Sequence, residues 1–411
     1  MADGFFVANF VGEDALSSVN LSMPFVNSLF ALAIIFAVGT QTIIGVMLGR
    51  KELKRARNTF SFTVFFITVF SIIVAAVCYF NINHIAIFLG ATDDLFPYVV
   101  SYLKIITFFA PFFLISYNFE VLVKVDGFPR TATYGVCASA FANIVLDYIF
   151  VGIFNWGIEG AAWATGISQV FSTVFFLFHF IYGNARLRFV KFKPEFYIIR
   201  RIIPLGFGDF IAEVGIGVIV FFYNLFLMKY IGENAIATFS VISYVNQLVS
   251  MCFLGITQGI QPLVSYYYGS EDHESYKKLF KYSFMTIALT SIASVLIVFI
   301  FSNNIFLMFF NATDMNLLGY SIVAIRKFAP SFLFVGFNIL IAGFSSSLLK
   351  ANYSIIINIC RDFLFIIGAL LLTSNIFGPE YIWYSSIISE GLCLIIASIL
   401  LARIFSSVYR K

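Results

Sequence analysis

The sequence predicts an all-α polytopic membrane protein, built as two six-helix bundles related by a pseudo-two-fold axis along the membrane normal, with the first helix truncated at the N-terminus. Three observations support this prediction. Hydrophobic residues make up 61% of the 411 residues and charged residues only 11%, against roughly 25% charged in soluble domains. Long apolar segments recur along the whole chain. The second half also repeats short motifs of the first half.

The composition excludes several classes of protein. So few charged side chains cannot cover a water-exposed surface, and a formal net charge of +4 is too small and too dispersed to indicate a nucleic-acid partner. The five cysteines lie in apolar runs without a CxxC pair and the chain has three histidines, so we expect neither a disulfide framework nor a zinc site. The sequence has no Walker motif and no recognisable catalytic set, so we expect no cofactor and no enzymatic activity.

Apolar runs between polar breaks predict eleven helices, each long enough to cross about 30 Å of hydrocarbon. They are expected near residues 14–47, 59–80, 97–122, 131–153, 160–182, 200–229, 234–268, 277–301, 317–347, 352–374 and 381–407. Residues 3–12 would rise only ~15 Å as a helix. We therefore expect them to be the end of a twelfth span, which makes Met1 a truncated or misassigned start.

Lysines and arginines are concentrated in alternate loops, and short loops rich in these residues stay in the cytoplasm. They follow the first, third, fifth and seventh full helices and recur in the C-terminal tail, whereas the intervening loops carry Asp and Glu. This pattern predicts a cytoplasmic C-terminus. We expect an N-terminal bundle over 1–182, a basic cytoplasmic linker over 183–199 and a C-terminal bundle over 200–411.

The chain repeats itself at an offset of about 220 residues. The matching segments, in chain order, are VGEDAL at 11–16 and IGENAI at 231–236, GTQ at 39–41 and GIQ at 259–261, GATD at 90–93 and NATD at 311–314, and FAP at 109–111 and 328–330. An even number of helices in each repeat gives both copies the same orientation, and this is why the predicted axis lies along the membrane normal.

Four segments of the sequence are specific in their order and spacing. They are DGFFVANFVGEDALSSVNLSMP near the start, GRKELKRA after the next helix, NIVLD with GIEGAAWATGISQ within 143–169, and IIPLGFGDFIAEVGIG at 202–217. Together they resemble the multidrug and toxic compound extrusion (MATE) transporters, and the resemblance covers the whole chain. The resemblance implies a secondary active antiporter in a prokaryotic cytoplasmic membrane. Such a protein exports lipophilic or cationic organic compounds by alternating access, in exchange for Na+ or H+. We expect a small organic substrate and membrane lipid as its partners and infer no obligate protein partner.

The family's cation site carries over onto Asp3, Asn143, Asp147 and Thr165, which stand at matching motif positions. Independently of the resemblance, Asn143 and Asp147 are four residues apart and project from one face of a helix. Ionisable groups inside spans are costly, so each is a functional candidate. All four residues offer oxygen, which suits a hard cation such as Na+, and two close carboxyl groups would equally serve a proton. A purely structural role between neighbouring helices remains the alternative.

In the second half, Asp209 and Glu213 share a helix face, and Glu213 matches an acidic position of some family members. We consider Asp209, Glu213 and Arg361 as candidates for substrate binding or coupling in the second bundle. Arg361 and Asp362 are expected to have no close counterpart in the first repeat, and Arg361 is expected to balance Glu213 or Glu390. Glu120 and Lys124 are expected to form a surface pair.

Other functions remain open from the sequence. A flippase for a lipid-linked sugar or cell-wall precursor would need several basic side chains in its cavity, and Arg361 is the one inward basic candidate. A channel or a scaffold would predict no coupling between the acidic residues and export. Proline residues at 24, 111, 204, 262 and 330 are expected to mark bends in the spans.

Overall fold

The computed structural model describes residues 2–309 and 315–409, without the side chains of residues 2, 3, 315 and 407–409. Within these residues, eleven helices are long and apolar enough to cross a membrane. This confirms the predicted number of full spans, and most helix ends fall within a few residues of the predicted ones. The repeat segment at 311–314 lies outside the described residues.

The chain divides into two compact units, residues 1–206 and 207–411. The first unit contains the first seven helices and the start of the eighth. Their bounds are α1 Ala2–Phe10, α2 Glu13–Gly49, α3 Leu53–Phe80, α4 Ile82–Phe88, α5 Phe96–Val125, α6 Pro129–Asp147, α7 Gly157–Tyr182 and α8 Phe196–Tyr230. Helix α5 is central in this unit, because it packs against α2, α3, α6 and α7.

The second unit contains the remainder of α8 and the last seven helices. Their bounds are α9 Glu233–Gly269, α10 His273–Leu307, α11 Met315–Phe328, α12 Phe332–Ser347, α13 Ala351–Ile359, α14 Ile366–Leu372 and α15 Ser385–Tyr409. Helix α12 packs against α9, α10, α13 and α15. Two apolar clusters form the core of this unit, one around Tyr223 and Trp383 and the other around Phe253 and Phe344.

Several features of the helices are not predicted by hydrophobic periodicity. The short helix α4 follows α3 after one residue, Asn81. The segments Tyr148–Ile153, Cys360–Phe365 and Thr373–Phe377 are π-helical, and each continues an α-helix without a break. Such turns are rare overall and occur often at functional sites. They therefore mark one candidate position in the first unit and two in the second.

Most prolines in the spans do not interrupt their helices. Pro24, Pro111, Pro204 and Pro262 lie inside continuous helices. Pro330 lies in a 3-10 segment, Ala329–Ser331, that separates α11 from α12. The single predicted span at 317–347 therefore consists of two α-helices, because proline lacks the N–H that an α-helical hydrogen bond at its position requires.

The basic segment between α7 and α8 is anchored along α3. The Asn58 side chain accepts a hydrogen bond from the Lys193 N–H at 2.8 Å and donates to the Lys193 carbonyl at 3.3 Å. The Val190 N–H donates to the Ser61 hydroxyl at 3.0 Å. Because its backbone groups are paired in this way, the segment follows a defined path over the first unit.

Asp126, in the turn between α5 and α6, anchors the same segment at its other end. Its carboxyl oxygens accept from the Leu187 N–H at 2.8 Å and lie 3.1 Å from His179 Nε2. Burial raises the pKa of the Asp126 carboxyl, and the contacts with Leu187 and His179 act in the opposite direction. The carboxyl therefore holds the segment through hydrogen bonds that offset part of the cost of its burial.

Candidate functional site

A polar cavity of about 330 Å³ lies inside the first unit, among α2, α5, α6 and α7. Its wall is formed by hydroxyl and amide side chains together with one carboxylate and a few apolar residues. The lining residues are Phe30, Ser116, Tyr117, Glu120, Val136, Ser139, Ala140, Asn143, Thr165, Ser168, Gln169 and Ser172. Each polar group costs free energy within an apolar span unless it is satisfied, so these side chains are candidates for a functional role.

Asn143 and Thr165 are joined across the cavity wall. The Asn143 Nδ2 donates to the Thr165 hydroxyl at 3.3 Å, which links α6 to α7. One turn earlier on α6, the Ser139 hydroxyl donates to the Ser168 carbonyl at 2.7 Å. With its amide nitrogen used in this way, the Asn143 amide oxygen is available as an acceptor or a cation ligand.

Asp147 is the last residue of α6, one turn beyond Asn143, and its side chain is fully buried. The π-helical turn Tyr148–Ile153 begins at the next residue. A carboxylate with no exposed surface requires a compensating positive charge, a proton or hydrogen-bond donors, because an uncompensated buried charge is very costly. The position of Asp147 is therefore suited to a group that binds and releases a cation.

The remaining predicted ligand, Asp3, lies in α1. This helix packs against α2, α6, α7 and the π-helical turn after Asp147, and Phe6 contacts Tyr148 with ring centroids 6.4 Å apart. The Asp3 side chain lies outside the described residues. The structure thus brings Asn143 and Thr165 together directly, places Asp147 on the same helix as Asn143, and places the helix of Asp3 beside them.

A pair of charged residues borders the same cavity. Glu120 accepts from the Lys124 ammonium at 2.6 Å, and both side chains are about one-fifth exposed. The expected i, i+4 pair is therefore present, although it is more buried than a surface pair. Ser116, one turn before Glu120 on α5, donates to the Gln169 side chain at 2.7 Å. The cavity wall on α5 thus combines one acidic group with neutral donors.

In the second unit, Asp209 and Glu213 lie on α8, as predicted. Asp209 lies beside the side chain of Gln261 on α9. Glu213 is half-buried, and the two acidic side chains are one turn apart. The proximity of Gln261 could not be predicted, because contacts between helices that are distant in sequence leave no local pattern.

Arg361 lies in a π-helical turn and forms a buried ion pair with Glu390. Its Nε lies 2.9 Å from a Glu390 carboxyl oxygen and 3.6 Å from an Asp362 carboxyl oxygen. The other Glu390 oxygen accepts from the Asn338 amide at 2.7 Å. Of the two expected partners of Arg361, the structure thus selects Glu390 rather than Glu213.

The expectation that Asp362 has no counterpart in the first repeat is wrong. The segment NIVLD at 143–147 recurs as NICRD at 358–362, so Asn358 and Asp362 correspond to Asn143 and Asp147. The offset is 215 rather than 220 residues, which hides the match when the offset is held fixed. The structure makes it evident, since each segment runs from an α-helix into or up to a π-helical turn.

Comparisons with known proteins give the family. A family model described as MatE matches residues 1–149 and 210–371. The chain belongs to the MatE family. It is accordingly a multi-pass membrane transporter and not an enzyme.

Several relatives match this MatE protein over most of its length. "Multidrug export protein MepA" of Staphylococcus saprophyticus is 27% identical over 398 residues, which cover 96% of this chain and 87% of the relative. The protein of the same name from Staphylococcus aureus is 25% identical with the same coverage. A crystal structure of MATE in the straight conformation has a TM-score of 0.93 and 20% identity, covering 100% of this chain and 92% of that chain.

A second solved structure is described as "Reverse polarity of binding pocket suggests different function of a MOP superfamily transporter from Pyrococcus furiosus" and gives a TM-score of 0.92 at 20% identity. The match covers 100% of this chain and 92% of that chain. At this level of identity it shows a common fold alone. The all-α polytopic fold and the family that the sequence motifs indicated are both confirmed.

Proposed function

We propose that the protein is a secondary active antiporter that exports lipophilic, cationic organic compounds across the cell membrane in exchange for Na+ or H+. One observation carries this proposal. Asp147 is fully buried at the end of α6, one turn from an amide–hydroxyl link that faces a polar cavity. The MepA relatives are named as multidrug export proteins, and we extend that activity to this chain.

The donors around the cavity suit either coupling ion. The carboxyl group of Asp147, the amide oxygen of Asn143 and the hydroxyl of Thr165 are hard oxygen ligands of the kind that alkali and alkaline-earth cations prefer. The same carboxyl group can carry a proton, since protonation removes the cost of a buried charge. The coupling ion and the organic cation would each bind more tightly to a different conformation of the protein. Binding of one would therefore oppose binding of the other.

The charge of the cavity favours a cationic or neutral substrate. Among the described residues that line it, Glu120 is acidic and none is Lys or Arg, although Lys124 contacts Glu120 from one turn away. A flippase for a pyrophosphate-linked precursor would require several basic groups in its cavity, and Arg361 is already neutralised by Glu390. The flippase therefore stays the weaker of the two functions. The basic loops predict a cytoplasmic C-terminus.

The test is efflux of a fluorescent lipophilic cation from cells that express the chain, with sodium and pH gradients imposed separately. We expect Asp147→Asn to reduce gradient-driven efflux to the level of cells without the protein, because an amide can neither bind a proton nor balance a cation. Asp94→Asn, at an exposed loop position, is the control and should export normally. Efflux in Asp147→Asn equal to that of the wild type, at equal expression, would refute the proposed site.

A further inference from the structure

The second unit contains a diverged copy of the candidate cation site. Asn358 and Asp362 repeat Asn143 and Asp147 within NIxxD. The segment GIEGAAWATGISQ at 157–169 is likewise repeated as GPEYIWYSSIISE at 378–390. The two segments share G-x-E and an Ile-Ser dipeptide at the same positions, which places Glu390 at the position of Gln169, and the tryptophan of the second segment is displaced by one residue. Both copies therefore occur on corresponding helices of the two repeats.

Each copy is assigned two carboxyl groups, which stand at different positions. In the first copy they are Asp147 and Asp3, the residues that the family resemblance implies. An ungapped offset of 220 residues, which relates VGEDAL to IGENAI, places Tyr223 at the position of Asp3. In the second copy, the second carboxyl group is that of Glu390.

The decisive difference is the residue before the shared aspartate. It is Leu146 in the first copy and Arg361 in the second. The guanidinium lies 2.9 Å from Glu390 and 3.6 Å from Asp362, and the Asp362 side chain is 2% exposed. Two carboxylates and one guanidinium have the same total charge as two carboxylates and one bound monovalent cation.

The surroundings hold this arrangement in place. Asn358 donates to the Gly208 carbonyl at 2.7 Å, and Ser389 donates to the Arg361 carbonyl at 3.3 Å. The second Asp362 oxygen is buried without a hydrogen-bond partner among the described residues, and Gly215 packs so closely on Asp362 that a Cβ there would overlap it. The cluster is therefore buried and closely packed, whereas Asn143 and Thr165 of the first copy line a cavity.

We propose that the Arg361 guanidinium is a covalently attached substitute for the exchangeable cation, so that the second unit binds no coupling ion and the first unit alone supplies the coupling. This inference rests on the proposed antiport. It assigns Arg361 a positioning role, in which the guanidinium fixes the carboxyl groups of Asp362 and Glu390 without meeting substrate.

The first test compares two matched variants in the gradient-driven efflux assay. Asp362→Asn leaves Glu390 balanced by Arg361, so coupled efflux should stay within about twofold of the wild type, whereas Asp147→Asn should lose about tenfold or more. A loss in folded Asp362→Asn as large as that in Asp147→Asn would overturn the inference. If Asp147→Asn itself transports normally, the proposed cation site of the first unit fails separately.

The second test measures thermal unfolding of the purified full chain in lipid nanodiscs and does not depend on transport. Arg361→Gln leaves two buried carboxyl groups without the guanidinium that balances their charge. The midpoint of thermal unfolding should therefore fall by about 5 °C or more. Added NaCl or acidification should restore part of that loss, and choline chloride at the same concentration controls for ionic strength. Arg361→Lys, which retains the charge, should show no comparable response.

A double variant keeps the inference testable if Arg361→Gln does not fold. Arg361→Gln/Glu390→Gln removes one charge of each sign, and its midpoint should lie closer to the wild type than that of Arg361→Gln. Cys360, Cys393 and Tyr223 are further titratable groups near this cluster, and they are retained in every variant. The inference that Arg361 replaces a cation would be overturned if the unfolding midpoint of Arg361→Gln rose neither with sodium, nor with acid, nor with the added Glu390→Gln change.

Discussion

Asn143 and Asn358 occupy the same position of a repeated segment but make different contacts. Asn143 is half-buried at a cavity and reaches the Thr165 hydroxyl, whereas Asn358 is buried and donates to the Gly208 carbonyl. The comparison shows that a repeated segment lines a cavity in one unit and is packed in the other. The two copies differ at several positions, among them Leu146 against Arg361 and Gln169 against Glu390.

The close packing beside the first copy predicts a large loss of stability on a small substitution. A Cβ on Gly166 would overlap the ring of Phe109, where α7 meets α5. We expect Gly166→Ala to lower the free energy of unfolding by about 1–3 kcal/mol, because the buried ring has to move. Thermal unfolding of the purified protein measures this. Gly368→Ala, at a helical position with no atom within 4 Å of the new Cβ, is the control and should be neutral or slightly stabilising.

The two asparagines give the sharpest test of the comparison. Asn358→Ala removes a buried side chain and its hydrogen bond to the Gly208 carbonyl, so it should lower the free energy of unfolding by about 1–3 kcal/mol. Asn143→Ala should change stability less and reduce gradient-driven efflux more, since its link faces the cavity. Thermal unfolding and efflux are measured on both variants. The opposite pattern, with Asn143 needed for stability and Asn358 for transport, would contradict the assignment of the two copies.

The smallest effect is expected outside the spans, at the start of α10. Asp272 caps this helix by accepting from the Ser275 N–H at 3.0 Å, and this bond holds the pKa of the Asp272 carboxyl below its usual range. A lowered pKa means that the stabilisation is present at neutral pH and is lost as the pH falls through that lowered value. Asp272→Ala should increase hydrogen exchange in the first turn of α10 at neutral pH. Asp272→Asn, which can still accept the bond, should preserve most of the protection.

The sequence predicts the spans well, because each span is determined by a local property. Eleven full helices follow from apolar length alone, and the repeat and family motifs indicate the fold without any structure. The division of 317–347 at Pro330 and the short helix after Asn81 are not predicted, since apolar composition does not distinguish a continuous helix from an interrupted one.

The candidate site is only partly predictable. The spacing of Asn143 and Asp147 places them on one helix face, but their link to Thr165 requires α6 and α7 to pack together. The pairing of Arg361 with Glu390 depends in the same way on contacts between helices that are distant in sequence. The shared NIxxD segment is present in the sequence, and it becomes visible once the offset between the repeats is allowed to vary.

The π-helical turn after Asp147 has a mechanical consequence. Hydrogen bonds in a π-helical turn join residues five apart rather than four. The residues before the turn are therefore rotated and shifted, relative to those after it, from the positions that a continuous α-helix would give them. Each residue of an α-helix accounts for about 1.5 Å of rise and about 100° of rotation. Conversion of Tyr148–Ile153 to α-helical hydrogen bonding would therefore turn and advance Asp147 relative to the end of the segment by an increment of that size. Any such movement of the carboxyl group would occur in discrete steps of one residue rather than as a continuous tilt.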